Sequence, residues 1–184
     1  MDQPVNRRVI YSAGAIQKRI RELGDQISQD YAGKDLILVG VLKGSLYFLA
    51  DLTRAISLPI QLDFISIGKY PTMTNQTGIV RIVKDLDLEI TGKHVLVIED
   101  IIRTGLTTAY LVQNMQARLP ASIKVCTLLY NPDQQLINVP VAYWGFEIED
   151  TRVIGFGMDL NENGRNLPYV AELDPSEWRK KKAP

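Results

Sequence analysis

Apolar positions along the chain alternate between two periods. Between residues 12 and 31, Ile16, Ile20, Leu23, Ile27 and Tyr31 recur at steps of three and four behind Ser12, which predicts an amphipathic helix capped by that serine. Residues 35–41 (DLILVGV) are a β-branched apolar run and predict a strand; LYFLADLTRAI at 46–56 returns to the helical period, and QLDFISI, set off by Pro59, predicts a second strand. The alternation resumes with strand IVRIV (79–83), a DLDLEITGK connection, strand HVLVIED (94–100), helix TTAYLVQNMQARL (107–119) and strand SIKVCTLLY (122–130). Nearly continuous apolar strands separated by helices predict an α/β fold, a mostly parallel sheet flanked by helices on both faces. Residues 69–78 (KYPTMTNQTG) are rich in turn formers and are expected to form a long, lid-like loop. The C-terminal third has shorter apolar pieces (VAYWGFEI, RVIGFG) and more Gly, Asn and Pro. Short strands and loops forming a small hood beside the sheet are expected there, mainly from 131–173 with the N-terminal residues.

Composition narrows the class. A chain of 184 residues with 46% apolar and 23% charged residues is expected to be a single domain, 1–184, with a core large enough to need no disulfide or metal. Lys and Arg balance Asp and Glu at 21 each, which argues against broad nucleic-acid binding. Cys126 is the only cysteine and lies in the apolar run KVCTLLY, so a buried, inert thiol is expected. No apolar segment reaches bilayer length, and MDQPVNRRVI lacks a signal-peptide core. A cytoplasmic protein without membrane contact is the expectation, with the basic tail EWRKKKAP a solvated end.

The richest chemistry follows strand HVLVIED. In a parallel α/β sheet, ligands bind at the carboxyl ends of strands, where loops and helix N-termini converge. There the chain places Glu99 and Asp100, then Thr104, Gly105, Thr107 and Thr108: hydroxyls, plus a glycine that lets backbone N–H groups close on an anion at the positive end of a helix. Phosphate is the natural guest, although Thr and Gly alone describe an ordinary helix cap. The triphosphatase loop ending in Gly-Lys-Ser/Thr is absent, and so is GxGxxG. Consecutive strand residues point to opposite faces, so both carboxylates reach one ligand only if the chain turns at the pair. Paired carboxylates beside a phosphate suit ribose hydroxyls with a divalent cation close by.

VLVIEDIIRTGLTTAYL resembles the 5-phosphoribosyl-1-pyrophosphate (PRPP) motif of the type I phosphoribosyltransferases. More narrowly, LVGVLKGSLYFLADL, GKYPTMTNQTG, KDLDLEITGKHVLVIEDII, KVCTLL, WGFEI and GFGMDLNENGRNLPY are similar, in order and spacing, to the hypoxanthine-guanine phosphoribosyltransferases, from about residue 9 to residue 173. The resemblance implies a parallel sheet with a hood, and transfer of ribose 5-phosphate from PRPP to a purine with release of pyrophosphate and Mg2+ as cofactor. It implies Glu99 and Asp100 as the catalytic pair facing the ribose and metal-bound waters, with Asp159 as the further acidic metal position. It further implies Thr104, Gly105 and Thr107 as the 5'-phosphate cradle with Arg103 and Leu106 lending backbone, Lys43 and Gly44 as the pyrophosphate loop, Tyr70 as the lid tyrosine, and Arg165 near pyrophosphate. The base pocket would involve Asn131, Arg152, Val153 and Asp159. A homodimer or homotetramer is also implied.

The base half departs from the family. Arg103 stands where the family has the aspartate that takes or shares the purine N7 proton, Asn131 where it has a lysine on the 6-oxo group, Arg152 where it has a stacking aromatic, and Lys69 where the lid has a serine. Guanidinium has five donors and no acceptor, so Arg103 cannot be a general base, though it can hold an anion. The chain is expected to be either a transferase with the same or a changed base, or a PRPP- or nucleotide-binding sensor with little turnover; a neutral chain makes an RNA-binding regulator the weakest alternative. Arg103 is expected either on a ligand or in solvent, and Lys69 in solvent or on pyrophosphate. His94 is expected at a strand edge, Trp144 and Phe146 packing the hood, Trp178 covering the C-terminal end, and Asp51 and Asp63 at the surface or as caps.

Overall fold

The first helix begins where the sequence marks it: Ser12 accepts a hydrogen bond from the Ala15 N–H at 3.3 Å, and α1 (Ala13–Asp30) buries Ile16, Ile20, Leu23 and Ile27. The computed structural model describes residues 7–70 and 79–179. After β1 (Val9–Tyr11) and α1 come β2 (Leu36–Leu42), α2 (Leu46–Ala55), β3 (Gln61–Tyr70) and β4 (Ile79–Lys84). Then follow β5 (His94–Ile102), α3 (Leu106–Gln116), β6 (Ser122–Tyr130), a 3-10 turn (Pro132–Gln134), β7 (Val141–Glu147), β8 (Val153–Ile154), β9 (Val170–Glu172) and α4 (Pro175–Arg179). The expected lid at 69–78 lies, from residue 71 on, outside the described residues.

Six strands form the main sheet in the order β4-β3-β2-β5-β6-β7; β3, β2, β5, β6 and β7 run parallel, and β4 is antiparallel on β3. Alternate residues of β5 divide the core. Leu96 and Ile98 join α1 and α2 on one face, whereas Val95 and Val97 join Leu111, Val112 and Met115 of α3 on the other. Succession runs outward to β3 from β2 and to β6 and β7 from β5, so the order reverses between β2 and β5. Such a switch point opens a crevice at the strands' carboxyl ends.

Two expectations are corrected here. VAYWGFE does not belong to the hood: as β7 it extends the main sheet, with Tyr143 and Gly145 buried and Trp144 38% exposed. One face of this edge strand rests on α1, where the Arg19 guanidinium donates to Gly145 O and Trp144 O. Trp144 therefore leans on Tyr130 rather than packing the hood, while Phe146 does reach it, stacked on Tyr11 of β1 at 4.1 Å between ring centres. The hood sheet itself is β1-β9-β8, which joins the chain's N-terminal residues to its C-terminal third.

Asp63 is the second correction, being only 4% exposed on β3. Its carboxylate accepts the N–H groups of Phe64 (2.7 Å), Asp87 (2.8 Å) and Leu88 (2.8 Å) and lies 3.5 Å from Lys84 Nζ, pinning the connection after β4 to the sheet. Burial alone would raise its pKa, but the three amides and Lys84 outweigh burial and lower it. His94 sits at the start of β5 against Ser122 Oγ (2.8 Å), as expected of a strand-edge residue. Cys126 is fully buried and burial pushes its thiol pKa far up, which keeps it inert. The Trp178 side chain lies outside the described residues.

Candidate active site

Strand β5 does not turn at its carboxylates; it continues through Ile102. Glu99 and Asp100 accordingly point to opposite faces of the sheet, contrary to the expected turn. Glu99, 6% exposed, faces α3 and accepts a hydrogen bond from Thr108 Oγ1 at 3.2 Å. The Thr108 hydroxyl is thus turned inward to hold Glu99 rather than outward to an anion. Asp100 faces the loop after β2. Burial raises its pKa above the ordinary carboxylate value; Asp159 adds to this, while the backbone amides of Ile101 and Asp100 and the Arg165 charge oppose it.

The loop after β2 approaches Asp100 at a glycine. A Cβ on Gly44 would lie 2.0 Å from Asp100 Oδ2, and a Cβ on Gly157, whose φ is +104°, would lie 1.9 Å from Gly44 O. The loop after β2 is therefore held between the Asp100 carboxylate on β5 and the backbone that follows β8. The peptide between Leu42 and Lys43 is cis. Lys43 is exposed, with Nζ 3.2 Å from Glu162 Oε2. Arg165 clamps the loop after β8, donating to Gly157 O (2.8 Å), Asp159 Oδ1 (2.8 Å) and Glu162 Oε2 (3.2 Å). Its Nε is buried with no hydrogen-bond partner among the described residues.

Past β5 the chain enters the other half of the site. Gly105 takes a left-handed φ of +76° at the N-terminus of α3, which has no side-chain cap. First-turn N–H groups have no intrahelical acceptor, so the positive end of this helix is open to an anion. One cavity of about 370 Å³ is lined here by Glu99, Asp100, Arg103, Thr104, Gly105 and Thr107, with Leu106 exposed beside it. A second, of about 380 Å³, lies toward the hood against Arg103, Asp150, Arg152, Val153, Asp159 and Leu173. Asp100, Ile101 and Arg103 line both. Volumes of this size suit small metabolites.

Arg103 does not point into solvent. It is half-buried, and its Nη2 donates to Thr151 O, tying the phosphate-side loop to the segment that leads into the hood. Asn131 is not among the residues lining either cavity: it is 2% exposed, its N–H donates to Ile102 O (2.9 Å), and its Oδ1 accepts the Gln134 N–H (3.1 Å) as cap of the 3-10 turn. Tyr70 ends β3, opposite Ile79 of β4, and the side chains of Lys69 and Tyr70 lie outside the described residues. Asp150, Gly157 and Glu162 are site residues without an assigned place in the sequence reading. Only the Gly-Phe-Gly spacing at 155–157 offered a sign of the close approach of the chain.

Among the described residues, no three His, Cys, Asp or Glu side chains converge closely enough to hold a metal ion by themselves. Glu99, Asp100 and Asp159 are spread over both faces of the sheet and a separate loop, with Asp159 engaged by Arg165 and by the Glu162 N–H (2.7 Å). Mg2+ keeps several waters and binds proteins through one or two carboxylates plus substrate phosphates. The site fits an ion that arrives on a phosphate ligand, not a resident metal centre.

A switch-point sheet, an uncapped helix start behind a carboxylate pair and a hood over the adjoining cavity together suit a sugar phosphate. The phosphoribosyl transferase domain model matches residues 8–163, and the chain belongs to that family. Within it, the chain is 45% identical to the hypoxanthine-guanine phosphoribosyltransferase of Mycobacterium tuberculosis over 179 residues, 94% of this chain and 89% of the relative. It is 43% identical to that of Dictyostelium discoideum over 180 residues, 96% and 100% of the two chains. The crystal structure of a hypoxanthine phosphoribosyltransferase from Staphylococcus aureus superposes with a TM-score of 0.88 at 39% identity, covering 93% of each chain. The protein is a phosphoribosyltransferase, of the purine-salvage type that these relatives represent.

Proposed function

We propose that the enzyme transfers ribose 5-phosphate from PRPP to a 6-oxopurine, releasing pyrophosphate, with the sugar phosphate in the cavity before α3 and the base in the cavity under the hood. The observation that carries this reading is the meeting of the two cavities at Asp100–Arg103, where a ribose would bridge them. The relatives' names supply the base class.

The backbone N–H groups of Leu106 and Thr107 and the hydroxyls of Thr104 and Thr107 hold the 5'-phosphate at the helix N-terminus. Lys43, the Gly44 backbone and Arg165 line the approach for pyrophosphate. Asp100, beside the ribose position, accepts a ribose hydroxyl, and Glu99, on the opposite face of β5, adds negative charge that opposes the positive charge developing on the sugar as its bond to pyrophosphate breaks; preorganised charge of this kind is commonly the largest catalytic contribution. Mg2+ carried on PRPP, beside Asp100 and Asp159, would neutralise the leaving pyrophosphate. Val153 and Leu173 give the base an apolar wall, and the Arg152 guanidinium plane can stack on it. Asn131, held as a turn cap, supports the hood-side turn and makes no base contact in this reading. We further propose a cytoplasmic homodimer or homotetramer, checked by the mass in sedimentation velocity. Among the described residues no helix is long and apolar enough to cross a membrane.

The test is release of pyrophosphate from PRPP and Mg2+ with hypoxanthine or guanine. Arg103 in place of a general base favours one competing reading, a PRPP- or nucleotide-binding sensor, and PRPP binding by calorimetry without pyrophosphate release from any purine would establish that reading instead.

A further inference from the structure

The chain that follows β6 runs back along the start of the phosphate loop. The Asn131 N–H donates to Ile102 O at 2.9 Å, and further on the Leu136 N–H donates to Thr104 O at 3.0 Å. At Gly105 the two segments touch, since a Cβ there would lie 2.9 Å from Ile137 O and 3.6 Å from a Val139 methyl. Residues 131–139 are not among those lining the cavity that Thr104, Gly105 and Thr107 line, so this segment stands behind the loop. Among the described residues the one cis peptide lies elsewhere, at Leu42–Lys43, and the peptide joining Thr104 to Gly105 is trans. In a planar trans peptide the C=O and the N–H point in opposite directions. With Thr104 O drawn back to Leu136, the Gly105 N–H is turned the other way, toward the cavity.

The shape of the supporting segment is set at its root. Asn131 is 2% exposed, and its Oδ1 accepts the Gln134 N–H at 3.1 Å, closing the 3-10 turn Pro132–Gln134. The Gln135 N–H donates to Pro132 O at 3.2 Å, and the Tyr130 hydroxyl donates to Gln135 Oε1 at 2.7 Å. The next residue is Leu136, so the exit of this turn is what delivers its N–H to Thr104 O. We infer that Asn131 is a positioning residue for the 5'-phosphate: by capping the turn after β6 it holds Leu136 on Thr104 O and keeps the Gly105 N–H aimed at the phosphate, without touching substrate itself. This rests on the transferase reading above, which puts the 5'-phosphate in the cavity before α3, and it adds the Gly105 N–H to the cradle.

Titration calorimetry with PRPP and Mg2+ in the absence of base tests this without turnover. Asn131→Ala is expected to weaken PRPP binding roughly 3- to 30-fold, the range spanned by loss of a cap when expressed as an affinity. Its affinity for magnesium pyrophosphate, which has no 5'-phosphate, and its KM for the purine should stay at the wild-type values. Asn131→Ser should bind PRPP as the wild type does, because a serine hydroxyl caps as an asparagine does. Leu136→Pro removes the anchoring N–H and leaves the cap in place. Leu136 is 71% exposed, and Gln135 before it is already extended at φ −68° and ψ 120°, as suits the residue before a proline. This variant should reproduce the loss, and it decides the question if a circular dichroism melt shows Asn131→Ala unfolded. Wild-type PRPP affinity in Leu136→Pro or in folded Asn131→Ala, or an equal loss toward pyrophosphate, would overturn the proposal. A raised purine KM with PRPP binding intact would overturn it as well and assign Asn131 to the base. No pyrophosphate release with any purine would instead remove the transferase reading, while the PRPP titration still decides the role of Asn131.

Discussion

Gly44→Ala is expected to lower phosphoribosyl transfer by about 100-fold or more, with the fold intact, the scale on which a misplacement of about 1 Å at a reacting centre is felt. The added Cβ would lie 2.0 Å from Asp100 Oδ2 and 2.4 Å from its Cγ, inside any tolerable contact. Either the Asp100 carboxylate swings away from the ribose position or the loop after β2 lifts. Retreat is blocked on the other side, because Gly44 O already sits where a side chain on Gly157 would be. Steady-state pyrophosphate release measures the loss, and a circular dichroism melt separates it from unfolding. A variant retaining more than a tenth of wild-type kcat/KM would show that Asp100 does not need its observed position.

Asp63→Ala should cost stability, not chemistry, by about 2–4 kcal/mol. The substitution orphans three backbone N–H groups, on Phe64, Asp87 and Leu88, and removes the partner of Lys84. Lys84 also has Asp87 at 3.0 Å and is partly exposed, so most of the cost lies in the amides. The sign of the pH dependence follows from the lowered pKa. A carboxylate whose folded pKa is depressed stabilises above its unfolded value, about 3.9, and that contribution is lost as pH falls through the folded value. The gap in unfolding free energy between wild type and Asp63→Asn should therefore be full at neutral pH and shrink below about pH 4. Denaturant titrations at several pH values measure it, and a gap that stays constant into acid would refute the assignment.

Much of the architecture was legible because helix and strand periods are local properties. The Ser12 cap, the apolar stripe of α1, the all-apolar β2 and the apolar run Val95–Ile98 of β5 are local signals of single elements, and their alternation announces a parallel sheet. The same local logic failed at VAYWGFE. An edge strand buried on one face and exposed on the other resembles a hood strand in composition, and only pairing to β6 places it. It failed again at Asp63, since an acid in a strand reads as surface until the amides of Asp87 and Leu88, 24 and 25 positions away, converge on it.

The site divides in the same way. The order of Glu99, Asp100, Thr104, Gly105 and Thr107 along the chain pointed to an anion and a sugar at one strand end, because backbone geometry after a parallel strand is dictated by a few consecutive residues. Where Arg103 goes was beyond that reach. Its hydrogen bond to Thr151 spans 48 positions, and its place between two cavities exists only when the hood closes on β5. The same holds for Asn131, whose side chain is committed to its own turn, and for the fit of Gly44 between Asp100 and Gly157. Sequence set the chemistry of each segment through local propensity and residue type; tertiary packing decided which charges meet and which stay unpaired, since those energies depend on distance and burial between residues far apart in the chain.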